Sequence, residues 1–153
     1  MIPAYRICQR GFAKTAFSGE GARLHGGRWN NPGTRLVYLA GSLSLAQLEI
    51  LVHLESDEIL NERYLVIPVE IPPRLVATLT PDYLPRNWRA ASAPAGTRRL
   101  GDEWVQAGKD LVLRVPSVIV PQESNYLVNP AHPAFERLSI GKPQRLIFDP
   151  RLA

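Results

Sequence analysis

The chain has 153 residues, 45% of them hydrophobic, with one cysteine, fourteen prolines and a formal net charge of +4. That length and apolar content fit one domain spanning residues 1–153 with its own core, and they exclude a disordered or low-complexity chain. A lone Cys8 excludes an internal disulfide and a cysteine-based metal site, and no apolar run reaches the length of a membrane span. Met1 to Arg10 contains no signal-peptide hydrophobic run, so a cytoplasmic location is the expectation. The isoelectric point near 9.6 favours an anionic ligand or partner, although no block of like charge resembles a nucleic-acid-binding arm.

In chain order, Ala4 to Cys8 reads as a short strand. Residues 9–34 read as a long glycine-rich loop, and a loop of that length in a compact domain is usually functional. Its centre is His25-Gly26-Gly27-Arg28-Trp29-Asn30-Asn31-Pro32-Gly33. There Gly26 and Gly27 permit close backbone approach, Arg28 supplies a fixed charge and Trp29 a large flat surface. Arg35 to Ala40 is predicted as a strand. Ser44 and Gln47 have the spacing of a capping box, so a helix is predicted to start there and run to Leu54. Its apolar residues fall all round the axis, which predicts a buried helix. Glu49 lies inside that apolar run, where a carboxylate is costly unless paired, neutralised or open to a cleft. A residue that breaks the local rule in this way marks a functional position.

Tyr64 to Ile71 is a second strand, with Pro68 pointing to an edge or a bulge. Residues 80–98 are rich in proline and arginine and read as irregular; residues 97–108 read as a helix carrying Trp104. Asp110 to Val115 and Ser117 to Val120 read as strand bent at Pro116, followed by a turn and a strand over Asn125 to Val128. Residues 133–138 form a helical turn or two, and Gln144 to Asp149 a closing strand. Many strands and one central helix define an α+β fold on a mixed or antiparallel sheet.

Arg28, Tyr38 and Glu49 lie on three different elements and can converge on one cleft. Arg28 can grip phosphate or carboxylate with two donors, or sit in a surface salt bridge. Tyr38 can present its ring to a ligand or pack in the core with its hydroxyl satisfied. Glu49 can stabilise a developing cation, act as a base, or pair with His53 one helical turn away. His25 and His53 lack metal-ligand spacing, Ser117 lacks a nucleophile-elbow context, and the glycines match neither a dinucleotide fingerprint nor a P-loop.

Ala16 to Arg23, Gly26 to Asn30, Val37 to Ala40, the Leu45–Leu54 stretch with Glu49, and Val115 to Ser117 running on to Asn125–Pro130 together resemble, in order, the motifs of RES-domain proteins. The family comprises the toxins of RES–Xre toxin–antitoxin modules, and its fold is similar to that of ADP-ribosyltransferase toxins. The resemblance implies consumption of NAD+ as a substrate, without a recycled cofactor or a metal. Some members release nicotinamide by hydrolysis or phosphorolysis, and some transfer ADP-ribose to a protein. It places the family's characteristic Arg, Tyr and Glu on Arg28, Tyr38 and Glu49, and its serine on Ser117, with Ser124 as the rival. Gly27, Trp29, Ser117 and Asn125 become candidate substrate contacts. The implied partner is an Xre-type helix-turn-helix antitoxin, through which alone the chain would meet DNA, and a dimer in that complex is an open possibility. The bottom-up alternative is a non-catalytic module that binds an anionic ligand.

Overall fold

A computed structural model describes residues 1–54 and 63–152. Eight strands form one mixed sheet: β1 (Ile2–Gln9), β2 (Val37–Ala40), β3 (Tyr64–Ile71), β4 (Val76–Thr78), β5 (Val112–Pro116), β6 (Ser124–Val128), β7 (Ser139–Ile140) and β8 (Gln144–Leu146). The spatial order is β4-β5-β6-β2-β1-β3-β7, and β8 pairs with β3 beside β7. Among the described pairings only β4–β5 is parallel. The three α-helices of the described residues are α1 (Glu20–His25), α2 (Leu43–Leu51) and α3 (Ala95–Ala107). The α+β class with a mixed sheet therefore holds.

β3 accommodates Pro68 by geometry. The Pro68 carbonyl accepts from the Gly141 N–H at 2.8 Å, so the side of the residue that lacks an N–H faces outward. That position falls between β8, which covers Tyr64 to Val66, and β7, which covers Val69 and Glu70. The proline thus occupies an edge of the strand although β1 pairs with its other side at eight positions.

Two helices cover different parts of the sheet. α2 packs Leu45 and Ala46 against Ile7, Ala40, Tyr64 and Val66, with Phe148 edge-on to Tyr64 at 5.7 Å between ring centres. α3 packs Leu100, Trp104 and Val105 against Trp29, Leu36, Leu113, Val115 and Leu127.

Four expectations are corrected. α2 is capped by Ser42, whose Oγ accepts from the Leu45 N–H at 3.1 Å, so the helix begins one residue before Ser44 and uses no Ser44–Gln47 box. It is also not a fully buried central helix. Leu48 is 40% and Val52 61% exposed, so only one side of the helix is packed against the sheet. The predicted strand over Ser117 to Val120 is instead a turn: the Ser117 hydroxyl accepts the N–H groups of Ile119 and Val120, both at 3.1 Å, and folds the chain back on itself. Residues 9–34, read as loop, contain α1 and a 3₁₀ turn over Arg10–Thr15.

Candidate active site

The cleft begins where the sheet splits. β1 pairs with β3 along its whole length but meets β2 at a single position, Tyr5 opposite Ala40. Continuing that register would set Arg6 against Leu39 and Ile7 against Tyr38. No pairing forms there, and all four residues line a cavity of about 380 Å³. A second cavity, of about 960 Å³, adjoins it. Both are walled by Gly26, Gly27, Arg28, Tyr38, Glu49, His53 and Asn125. The three residues singled out by sequence therefore border one cleft from a loop, a strand and a helix.

Glu49 is half-buried on α2, one turn after the anchoring Leu45. Its Oε1 accepts from Ser117 Oγ and from Asn125 Nδ2, each at 2.7 Å. Ser117 is fully buried, and its hydroxyl already accepts two backbone N–H groups. Its own proton is therefore directed at Glu49, and that fixes the carboxylate rather than merely contacting it. Ser124, the rival serine, instead contributes its carbonyl to the Gly41 N–H on β6 and is not among the Glu49 donors. The Asn125 amide is oriented by the same logic, since its NH₂ end must face the carboxylate. Its Oδ1 is buried without a partner among the described residues, an orphan of the kind found where a ligand completes a site.

Tyr38 is fixed as firmly. Its hydroxyl donates to Asn30 Oδ1 at 2.6 Å and accepts the Trp29 N–H at 3.0 Å. Burial pushes its pKa above the ordinary phenol value, the Trp29 N–H opposing this only partly. The ring is a neutral wall, not a base. Gly27 packs directly on it: a Cβ there would come within 2.6 Å of the Tyr38 oxygen. Gly27 thus serves close packing against the tyrosine. Trp29 departs from its expected role as an open flat surface. The residue is 2% exposed and packs with Leu36, Leu113 and Leu127, its backbone N–H donates to the tyrosine hydroxyl, and it borders the second cavity from within the core.

Arg28 is half-buried and its guanidinium donates to three carbonyls of the 80–98 segment: Trp88 at 3.3 Å, Ala90 at 2.5 Å and Ala91 at 3.4 Å. Burial lowers its pKa, while nearby Glu49 and Tyr38 act to raise it. It forms no salt bridge with Glu49. Its fork instead pins an irregular segment against the second cavity, which Ala91, Ser92 and Ala93 help to wall.

Three supporting residues escaped the sequence reading. Asn30 is fully buried; its NH₂ reaches the carbonyls of Ala22, Asn31 and Thr34, and this orders the whole glycine-rich turn. Asp102 on α3 accepts from the Asn31 N–H at 3.0 Å and from its side-chain amide at 2.7 Å. Arg6 lines the smaller cavity. A charge between Tyr5 and Ile7 in an apolar strand was a legible signal for it; nothing in sequence marks Asn30 or Asp102. Among the described residues no group of His, Cys, Asp or Glu has the arrangement of a metal site, and no helix is long and apolar enough to cross a membrane.

The α+β domain thus carries a split mixed sheet with a carboxylate presented by a helix at the split. The crystal structure of the M. tuberculosis MbcT–MbcA toxin–antitoxin complex contains a chain that superposes with a TM-score of 0.78, covering 98% of this chain and 85% of that one at 22% identity. The RES domain family profile matches residues 3–149, and the chain belongs to that family. A protein named Toxin Res from Yersinia enterocolitica serotype O:8 / biotype 1B is 43% identical over 149 residues, 97% of each chain. The Prs ADP-ribosylating toxin of Sphingobium sp. (strain YBL2) is 43% identical over 138 residues, 88% of this chain and 85% of that one.

Proposed function

We propose that the chain is the toxin of a toxin–antitoxin pair and cleaves the nicotinamide–ribose bond of NAD+. The observation that carries this reading is the Glu49 carboxylate, held at the cleft by Ser117 and Asn125 and facing a neutral tyrosine wall. As the C1′–N bond breaks, its electron pair leaves with nicotinamide, which departs as a neutral base, and the ribose becomes oxocarbenium-like. A carboxylate fixed beside that carbon stabilises the positive charge as it develops. Water or phosphate then attacks C1′ and loses a proton to the medium. Tyr38 packs on the nicotinamide end and restricts the bound conformer. Arg28 adds positive potential to the cleft for the anionic substrate.

Transfer of ADP-ribose to a protein is the second reading, favoured by the name of the Sphingobium relative. An Xre-type antitoxin is the proposed partner, supported by family membership and by a neighbour solved in complex with an antitoxin.

Purified antitoxin-free protein incubated with NAD+, with and without phosphate, decides between these readings. Chromatography is expected to show nicotinamide released in equal amounts to ADP-ribose, or to its phosphate ester when phosphate is the acceptor. Glu49→Gln should remain folded and lose about 10²–10³-fold in rate, the loss typical of removing one preorganised electrostatic group. NAD+ that stays intact until a protein acceptor is added would replace the first reading by the second. Full turnover by Glu49→Gln would remove the catalytic assignment altogether.

A further inference from the structure

Residues 84–94 join a 3₁₀ turn over Pro81–Tyr83 to α3 with no helix or strand of their own. Through Ala91, Ser92 and Ala93 they wall the larger cavity, which Val118 and Ile119 also border. Residues 86, 87 and 89–92 are all exposed, so little apolar burial holds the segment down. Two arginines tie it instead, and they connect it to different walls of the cleft. Arg28 reaches from the glycine-rich turn to the carbonyls of Trp88, Ala90 and Ala91. Arg89 reaches from the segment to the turn after β5, where its Nε donates to the Val118 carbonyl at 3.0 Å. The segment is a strap joined to the turn that carries Arg28 and to the turn that carries Ser117.

The second tie falls on a sensitive atom. The Val118 carbonyl and the Ile119 N–H belong to one planar peptide unit, so the direction of one sets the direction of the other. Arg89 holds the oxygen of that unit, and the Ser117 hydroxyl accepts its N–H at 3.1 Å. The same hydroxyl donates to Glu49 Oε1 at 2.7 Å. A continuous chain of hydrogen bonds therefore runs from Arg89 through the 118–119 peptide and Ser117 to the carboxylate. Releasing Arg89 frees the peptide to rotate, and the hydroxyl then loses part of the geometry that aims its proton at Glu49.

We propose that Arg89 is a positioning residue for Glu49, and that the strap over the larger cavity and the carboxylate are set together: Glu49 is fully placed when the strap is tied down. This rests on the NAD+ reading for the reaction that Glu49 serves, and on the geometry alone for the coupling.

Amide hydrogen exchange on the whole ligand-free protein tests the tie independently of turnover. In Arg89→Met the Ile119 and Val120 amides should exchange about ten-fold faster than in wild type, while the amides of β3 keep their protection. Steady-state nicotinamide release tests what the tie does. The same variant should lose about five- to ten-fold in kcat with KM changed far less, because the carboxylate is misplaced in the transition state and the substrate is still bound. Arg89→Lys should recover most of that rate, since one charged donor suffices for one carbonyl. Arg86→Met removes the same charge from the same strap and should leave kcat and both amides as in wild type. Unchanged exchange in Arg89→Met overturns the tie, and raised exchange with unchanged kcat overturns the positioning of Glu49. An equal loss of kcat in Arg86→Met would assign the effect to charge and overturn the positioning as well. A wild type that leaves NAD+ intact, with exchange at Ile119 and Val120 still raised by Arg89→Met, refutes the proposed function and keeps the tie.

Discussion

Ser117→Ala separates what the hydroxyl does for the fold from what it does for the carboxylate. The Ser117 Oγ accepts the Ile119 and Val120 N–H groups at 3.1 Å and donates to Glu49 at 2.7 Å. Alanine leaves two backbone donors of a tight turn without an acceptor. Each unsatisfied buried donor costs about 1–3 kcal/mol, and both lie on half-buried residues, so the lower part of that range applies and the sum is roughly 2–4 kcal/mol. Against a total stability of about 5–15 kcal/mol the variant still folds. At about 2–4 °C per kcal/mol for a chain of this size, melting falls by roughly 5–15 °C. The second effect is on rate. Glu49 keeps Asn125 but can now rotate, so turnover should fall by about ten-fold or more with KM changed far less. Urea unfolding at 25 °C gives the first number, and initial rates of nicotinamide release on the folded variant give the second. A Ser117→Ala protein as stable as wild type would refute the turn accounting. One that is destabilised yet turns over normally would show that Ser117 does not position the carboxylate.

Gly101→Ala tests the contact between α3 and the arginine–tryptophan turn. An added Cβ would lie 1.6 Å from the Trp29 carbonyl oxygen, a backbone atom that cannot move aside, so the expected outcome is insoluble protein or a loss above about 4 kcal/mol in urea unfolding. Tyr38 makes stability pH-dependent at the alkaline end. Its folded pKa is raised above the unfolded value near 10, so its contribution is fully present below pH 10 and is lost as the pH rises further, with a slope of up to about 1.4 kcal/mol per pH unit. Tyr38→Phe should remove that slope between pH 10 and 11 in urea titrations, and an unchanged slope would place the titration elsewhere. Arg28→Lys replaces a fork that spans three carbonyls by a point charge. Trypsin should then cut after Arg86 and Arg89 measurably faster than in wild type, and equal cutting rates would mean that the fork does not hold the segment.

How much of this was readable in advance depended on whether a residue's role was local. The β3 strand and the 97–108 helix follow from residues within a dozen positions, and they stand, whereas Glu49 lies on a helix only half covered and is half-buried. The α2 cap was misplaced because Ser42 and Ser44 both suit an N-cap, and only the direction of the chain leaving β2 chooses between them. The turn at Ser117 was read as strand because Val118, Ile119 and Val120 are strong strand formers. A single hydroxyl accepting two N–H groups outweighed that propensity. Trp29 shows the limit most clearly. Its exposure depends on α3, some seventy residues away, whose Gly101 lets the two backbones touch. Convergence of Arg28, Tyr38 and Glu49 was inferable as a pattern of residue types. The split between β1 and β2 that makes the cleft is a property of pairing and leaves no mark in either strand alone.

The choice of partners around Glu49 has a chemical consequence. A carboxylate that is to stabilise a developing cation must be held still without being neutralised. An arginine in salt-bridge contact would orient it but would also repel the positive charge forming on the ribose. Here both donors to Glu49 are neutral, a hydroxyl and an amide, from the turn after β5 and from β6. The nearby cation is drawn off: Arg28 is committed to the carbonyls of Trp88, Ala90 and Ala91. Tyr38 is kept uncharged by burial, so it adds no competing anion. The same cleft thus holds a rigid carboxylate at one wall and arginine charge at others, a distribution that suits the proposed substrate with its anionic middle and cationic nicotinamide end. The polar groups that enforce it come from the turn after β5, from β6, from the glycine-rich turn and from α3, and that explains why residues without reach to a ligand, Asn30 and Asp102 among them, support the site.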